Sequence, residues 1–193
     1  MSRYRAFPDP LCYPESSVLR NKANLTDQGE LDQFEQLMFL TRSDEDLPAG
    51  NLDYAHYCQI HLHFFQDVYE WAGKKREIRT GKGESWFCFP EHIDGEMDRI
   101  FTELAEENHL LSIRNIDQFS RRAAYYLAEI NAIHPFREGN GRCQLTLLAM
   151  LAEHGHFSLR EDKLDQSVFM DAMIMSFYGN IEPLVKCIVE MIE

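Results

Sequence analysis

Basic residues are scarce in this 193-residue chain: 19 Lys and Arg stand against 32 Asp and Glu, a formal net charge of −13. Non-specific binding to nucleic acid or to an anionic membrane needs a basic surface, so this balance argues against both. It leaves room for a local basic pocket that takes a nucleotide. Long apolar runs are also missing: no stretch reaches the roughly 20 residues of a bilayer-spanning helix. Met1-Ser-Arg-Tyr-Arg-Ala-Phe-Pro8 lacks the apolar core of a signal peptide, so the cytoplasm is the expected compartment. An effector exported by a dedicated machine would read the same way. Paired cysteines are missing too. Cys12, Cys58, Cys88, Cys143 and Cys187 are odd in number and widely spaced, with no CxxC pair. That excludes a disulfide frame and the usual zinc spacings.

What is present is ordinary for a globular protein, with 45% apolar and 26% charged residues, enough for one domain with its own core. Neither repeats nor linkers divide residues 1–193, and a single domain is expected. The segment through about Asn24 is rich in turn formers and is expected to wrap the surface. Helical spacing then predicts helices from Thr26 to about Arg42, capped by Thr26 or Asp27, and from Asp53 to Trp71, ending at Gly73. Lys74 to Pro90 has no helical stripe and carries Gly81, Gly83 and Pro90, which predicts a hairpin or flap. Further helices are expected from Pro90 to about Glu107, Ile116 to Ile133, about Gly139 to His154, Leu164 to Phe177 and Asn180 to Ile192. In the fifth of these seven, Leu145, Leu148, Ala149 and Ala152 are expected to face inward. The fold class is therefore all-α, a compact helical bundle with one β-hairpin flap.

The run His134-Pro-Phe-Arg-Glu-Gly-Asn-Gly-Arg142 joins two of these helices. Pro135 disfavours helix for the residue before it, so His134 ends a rigid element with its ring free to meet a ligand. Gly139 and Gly141 remove side chains where a phosphate would approach backbone N–H groups at a helix start. Arg142 in the first turn can fork onto phosphate oxygens, and Glu138 can hold Mg²⁺. Taken alone, each residue has a plainer reading, His134 as a helix-end histidine and the glycines as a turn. A plain connection between helices does not need all of them at these offsets.

The string resembles the signature of Fic-domain proteins, HxFx(D/E)GNGRxxR, at every fixed position but the last. Leu127-Ala-Glu-Ile-Asn-Ala-Ile133, Ile60-His61 through Tyr69-Glu-Trp-Ala-Gly73, Arg79-Thr-Gly-Lys-Gly-Glu-Ser-Trp-Phe87, Val18-Leu-Arg-Asn21 and Ser176-Phe-Tyr-Gly-Asn180 are similar to other parts of that family. The resemblance implies a bacterial protein adenylyltransferase that moves AMP from ATP, with Mg²⁺, onto a Ser, Thr or Tyr hydroxyl of a target protein. It implies His134 as the base, Glu138 as the Mg²⁺ ligand, and Gly139, Asn140 and Gly141 as the anion hole. Arg142 would bind the β-phosphate and Asn131 would shape the pocket. Lys82, Gly83 and Phe87 would lie in the flap that docks the target by strand addition. Tyr178 could contact the adenine. Transfer of another nucleotide or phosphate group, and a degenerate domain acting as a binding module, are the rival readings. Intact Gly139-Asn140-Gly141 speaks against phosphate transfer as in Doc-like relatives, and intact His134 and Glu138 speak against the binding module, which Leu145 keeps open.

The departure from the family is Leu145, where the signature has a second arginine that reaches the γ-phosphate. Losing one charge-assisted contact removes on the order of 1.5–3 kcal/mol of ATP binding or orientation. The alternative is that Leu145 joins the apolar stripe while another cation supplies the contact. The family's inhibitory glutamate motif, (S/T)xxxE(G/N), is also missing: Glu30 is followed by Leu31, and Glu106 by Glu107. A separate antitoxin-like inhibitor protein is one expectation, and restraint by other means the other. His61 with His63 and His154 with His156 do not suit zinc, because x-H-x-H places the two rings on different helix faces. His61 is expected as a packed core histidine.

Overall fold

The computed structural model describes residues 5–6, 9–82 and 85–192. The fold is all-α, with seven α-helices among the described residues and one small antiparallel sheet. The chain divides into two compact units, Met1–Ile93 with Pro135–Gly139, and Asp94–His134 with Asn140–Glu193.

In the first unit, α1 (Gln28–Ser43) packs on α2 (Tyr54–Phe65). Both start at an aspartate whose carboxylate accepts an orphan N–H of the first turn: Asp27 takes that of Glu30, and Asp53 that of His56. Phe39 of α1 meets Phe64 of α2 with ring centroids 4.8 Å apart. Arg42 pairs with Asp67 at 2.7 Å, which holds the Asp67 carboxyl below its ordinary range. The second helix ends sooner than its spacing predicts, at Phe65 and not at Trp71. Past that point the chain turns, and the Val68 carbonyl accepts from Lys22 N–H (2.9 Å). Val68, Tyr69 and Ala72 are buried all the same, which is why the apolar pattern runs on. The early segment does more than wrap the surface. Cys12 and Leu19 form a β-bridge, and Cys12, Val18 and Leu19 are buried.

The flap is a three-stranded antiparallel sheet in the order β1 (Arg5–Ala6), β2 (Thr80–Lys82), β3 (Ser85–Trp86). Gly81 faces Trp86, and Ala6 faces Thr80 on the other edge of β2. Beyond it, Phe89, Pro90 and a short 3-10 turn (Pro90–His92) lead into α3 (Ile93–Glu106).

In the second unit, α4 (Ile116–Ile133) packs against α5 (Asn140–His154), α6 (Gln166–Phe177) and α7 (Glu182–Met191). Asn115 caps α4, and Phe119, Ala123, Tyr126, Leu127 and Ile130 recur at helical spacing with at most 1% exposure. Burying each large apolar side chain of this kind stabilises by about 1.5–3 kcal/mol. α3 shows Ile93, Met97, Ile100, Phe101 and Leu104 buried, as its pattern predicts. In α5 the core residues are Cys143, Leu147, Leu148, Leu151 and Ala152, whereas Leu145 and Ala149 are only half-buried.

Candidate active site

The segment 134–142 is built by ending one helix, pinning a short loop and starting another helix. α4 stops because Pro135 follows His134. His134 takes the left-handed conformation (φ 52°, ψ 65°) as the C-cap of α4, and its N–H still donates to the Ile130 carbonyl at 2.8 Å. A non-glycine residue held there stores strain of order 1–3 kcal/mol and persists only where its surroundings over-determine it. The His134 side chain is buried, with 6% exposed.

The over-determination is visible in Pro135–Gly139, every residue of which is held within the first unit. The Pro135 carbonyl accepts from Arg76 N–H at 2.8 Å. Phe136 is fully buried, its ring stacked on Tyr57 (5.5 Å) and on His61 (3.9 Å). Arg137 forms an ion pair with Asp9. The Glu138 carbonyl lies 3.0 Å from His61 Nε2. Gly139 has φ +82°, and a Cβ there would overlap the ring carbons of Phe65. Arg76 braces the base of the flap from below, donating to the Ile78 carbonyl (2.8 Å) and to the Cys88 carbonyl (2.5 Å). Its burial pulls its pKa down to about 10.

The Glu138 side chain is half-buried, and its Oε1 accepts from Gly139 N–H at 3.0 Å. Asn140 then opens α5 with no exposure at all. A Cβ at Gly141 would meet nothing within 4 Å, so the space beside that backbone is open. Arg142 is half-buried in the same turn, and its carbonyl accepts from Thr146 Oγ1 (3.0 Å). α5 has 15 residues and no acidic residue in its first turn. Its amino end offers orphan N–H groups and the positive end of the helix dipole, with no side-chain carboxylate of that turn competing for them.

Glu138 and Gly139 thus fall with the flap residues Lys82 and Phe87 in the first unit, and His134, Asn140, Gly141, Arg142, Asn131 and Tyr178 in the second. The Asn131 amide donates to the Met173 carbonyl of α6 at 2.9 Å, which ties α4 to α6. Tyr178 closes α6 and is 71% exposed. The Lys82 backbone lies in β2 opposite Ser85. Phe87 is buried, its N–H donating to the Thr80 carbonyl. Gly83 lies outside the described residues. Asp9, His61, Phe65 and Arg76 support the loop from distant positions, and no local spacing marks them. Among the described residues no group of three or more His, Cys, Asp or Glu could hold a metal by itself. Mg²⁺ commonly rests on one or two carboxylates and completes its shell with substrate phosphates and water, so a single half-buried Glu138 carboxylate fits it.

Residues 51–152, more than half of the chain, match the model of the Fic/DOC family. The chain belongs to the Fic/DOC family. Over 192 residues it is 58% identical to a probable protein adenylyltransferase of Sinorhizobium fredii, covering 100% of both chains. It is 37% identical over 183 residues to the protein adenylyltransferase VbhT of Bartonella schoenbuchensis, covering 93% of this chain and 38% of that one. The fold is similar to the crystal structure of the BepC protein of Bartonella tribocorum with bound AMPPNP. The TM-score is 0.86 at 22% identity, over 95% of this chain and 96% of that one. Set against the Fic signature HxFx(D/E)GNGRxxR, the chain matches every fixed position from His134 to Arg142 and has Leu145 at the last. No α-helix among the described residues is long and apolar enough to cross a membrane.

Proposed function

We propose that this Fic-domain chain is a protein adenylyltransferase, transferring AMP from ATP to a Ser, Thr or Tyr hydroxyl of a target protein. The observation that carries the mechanism is the loop between α4 and α5, rigidly supported and opening onto a helix amino end. The full-length likeness to the S. fredii adenylyltransferase supports the same activity.

His134 accepts the proton of the target hydroxyl, a role that contributes about 10²–10⁴-fold. The oxygen attacks the α-phosphorus in line, a new P–O bond forms, and the bond to the bridging oxygen of pyrophosphate breaks. The backbone N–H groups of Asn140 and Gly141 receive the phosphate oxygens, while the Gly139 N–H holds the Glu138 carboxylate and the glycine keeps the backbone clear of a side chain, and Arg142 neutralises the β-phosphate. Glu138 is the residue that would hold Mg²⁺, which when bound neutralises charge on the α- and β-phosphates. Asn131 acts by fixing α4 to α6. Tyr178, exposed at the end of α6, is available to the adenine. Lys82, Gly83 and Phe87 belong to the flap that would take up the target segment by strand addition. Restraint by a separate small inhibitor protein belongs to this proposal, because the chain carries no (S/T)xxxE(G/N) helix of its own. Action in the bacterial cytoplasm belongs to it too.

The test is label transfer in cell lysate with Mg²⁺. Label from α-labelled ATP is expected in protein, and none from γ-labelled ATP. Transfer from the γ-position alone would replace adenylylation with phosphorylation, and transfer of neither would favour a binding module.

A further inference from the structure

His61 lies in α2 with no exposed surface, yet its ring reaches both Gly73, beyond the end of that helix, and the active-site loop of the first unit. Its Nδ1 is 2.8 Å from the Gly73 backbone nitrogen, and its Nε2 is 3.0 Å from the Glu138 carbonyl oxygen. A backbone N–H can only donate, so Nδ1 must accept. In a neutral imidazole the remaining hydrogen then sits on Nε2 and is donated to the Glu138 carbonyl. The tautomer follows from the two partners. The ring has little freedom to do otherwise, being stacked on Phe136 at 3.9 Å and flanked by Phe65 at 4.6 Å. Gly73 is equally fixed, at φ +78°, where an added Cβ would meet Leu62 Cβ at 2.9 Å.

The consequence falls on one peptide plane. The Glu138–Gly139 peptide has its carbonyl oxygen held by His61, and its N–H donates to the Glu138 carboxylate itself. Rotating that peptide would break both contacts and re-aim the carboxylate. It would also move the left-handed Gly139 against Phe65. We propose that His61 is a positioning residue. As the neutral Nε2–H tautomer it sets the orientation of the Glu138–Gly139 peptide, and through it the carboxylate that receives the Mg²⁺-nucleotide. This rests on the reading of Glu138 given above.

Two substitutions separate the ends of the ring. In His61→Gln the amide N–H lies at about the reach of Nε2 and keeps a donor for the Glu138 carbonyl. In His61→Asn the amide lies near Nδ1 and keeps only the acceptor for Gly73. Both lose the aromatic stack, so their melting temperatures are expected to fall alike. Mg²⁺-ATP affinity, measured by calorimetry, and kcat for AMP transfer are expected to fall about 10- to 100-fold in the Asn variant. The Gln variant is expected to recover most of that loss. Imidazole ¹⁵N spectra of the wild type are expected to show His61 neutral, with its proton on Nε2. Equal losses in both variants, an Asn variant that binds and reacts like wild type, or a Nδ1–H tautomer would each overturn the proposal. A wild type that binds Mg²⁺-ATP but transfers no AMP would sink the adenylyltransferase reading alone, since the affinities still decide the role of His61. A wild type that neither binds nor transfers overturns both.

Discussion

Asp9 and Arg137 are 128 residues apart in sequence and form a buried ion pair, with Arg137 Nε donating to Asp9 Oδ2 at 2.7 Å. Both side chains are 7% exposed. Asp9 is itself set in place, because its other oxygen accepts from Leu11 N–H at 3.0 Å. Removing one member of such a pair leaves a buried charge without its partner, which costs about 3–5 kcal/mol. Asp9→Ala is therefore expected to lose stability of that size in urea unfolding. The double change Asp9→Leu with Arg137→Met should cost far less, because both charges leave together. Equal losses in the two proteins would show that the ion pair is not what holds the loop.

The two glycines of the motif answer to different constraints. Gly139 is at φ +82° against the Phe65 ring, so Gly139→Ala meets both strain and overlap. A loss of roughly 1–3 kcal/mol is expected, together with loss of transfer. Gly141 has open space where its Cβ would go. Gly141→Ala should therefore fold as well as wild type, while the added methyl stands where phosphate approaches the backbone. Calorimetry is expected to show nucleotide affinity reduced about tenfold or more, a change of some 1.4 kcal/mol. Unchanged affinity would remove the phosphate from the start of α5.

Leu145 is half-buried, not sealed in the core with Leu147 and Leu148. Leu145→Arg is expected to cost about 0.5–3 kcal/mol, the range of an ordinary substitution, and to leave the chain folded. If the missing cation limits γ-phosphate binding, ATP affinity should rise by about 1.5–3 kcal/mol and ADP affinity should not. Titrating both nucleotides into both proteins checks this. A parallel rise for ATP and ADP would place the new charge elsewhere.

How far the sequence could be read depended on the range of the interaction. α4 spans Ile116–Ile133, as its spacing predicts, because a long amphipathic stripe with an Asn cap and a proline stop is a local signal. The run from His134 to Arg142 was legible for the same reason, all its parts being neighbours in the chain. The early end of α2 was not, since Val68 and Tyr69 keep the apolar pattern while the chain turns to meet Lys22. The supports of the loop were hidden more deeply. Asp9 and Arg76 act on residues 128 and 59 positions away, and nothing in their own surroundings in sequence distinguishes a brace from a core or surface residue. His61 does sit in the core as expected, but packing alone did not indicate its hold on the Glu138 carbonyl.

The central claim is that His134, held in the left-handed conformation at the end of α4, is the base of an adenylyl transfer. The most direct measurement compares wild type with His134→Ala for Mg²⁺-ATP affinity and for AMP transfer in the same preparation. The account predicts affinity within a few-fold of wild type and transfer reduced by about 10²–10⁴. Transfer that survives in His134→Ala at the wild-type rate would contradict it.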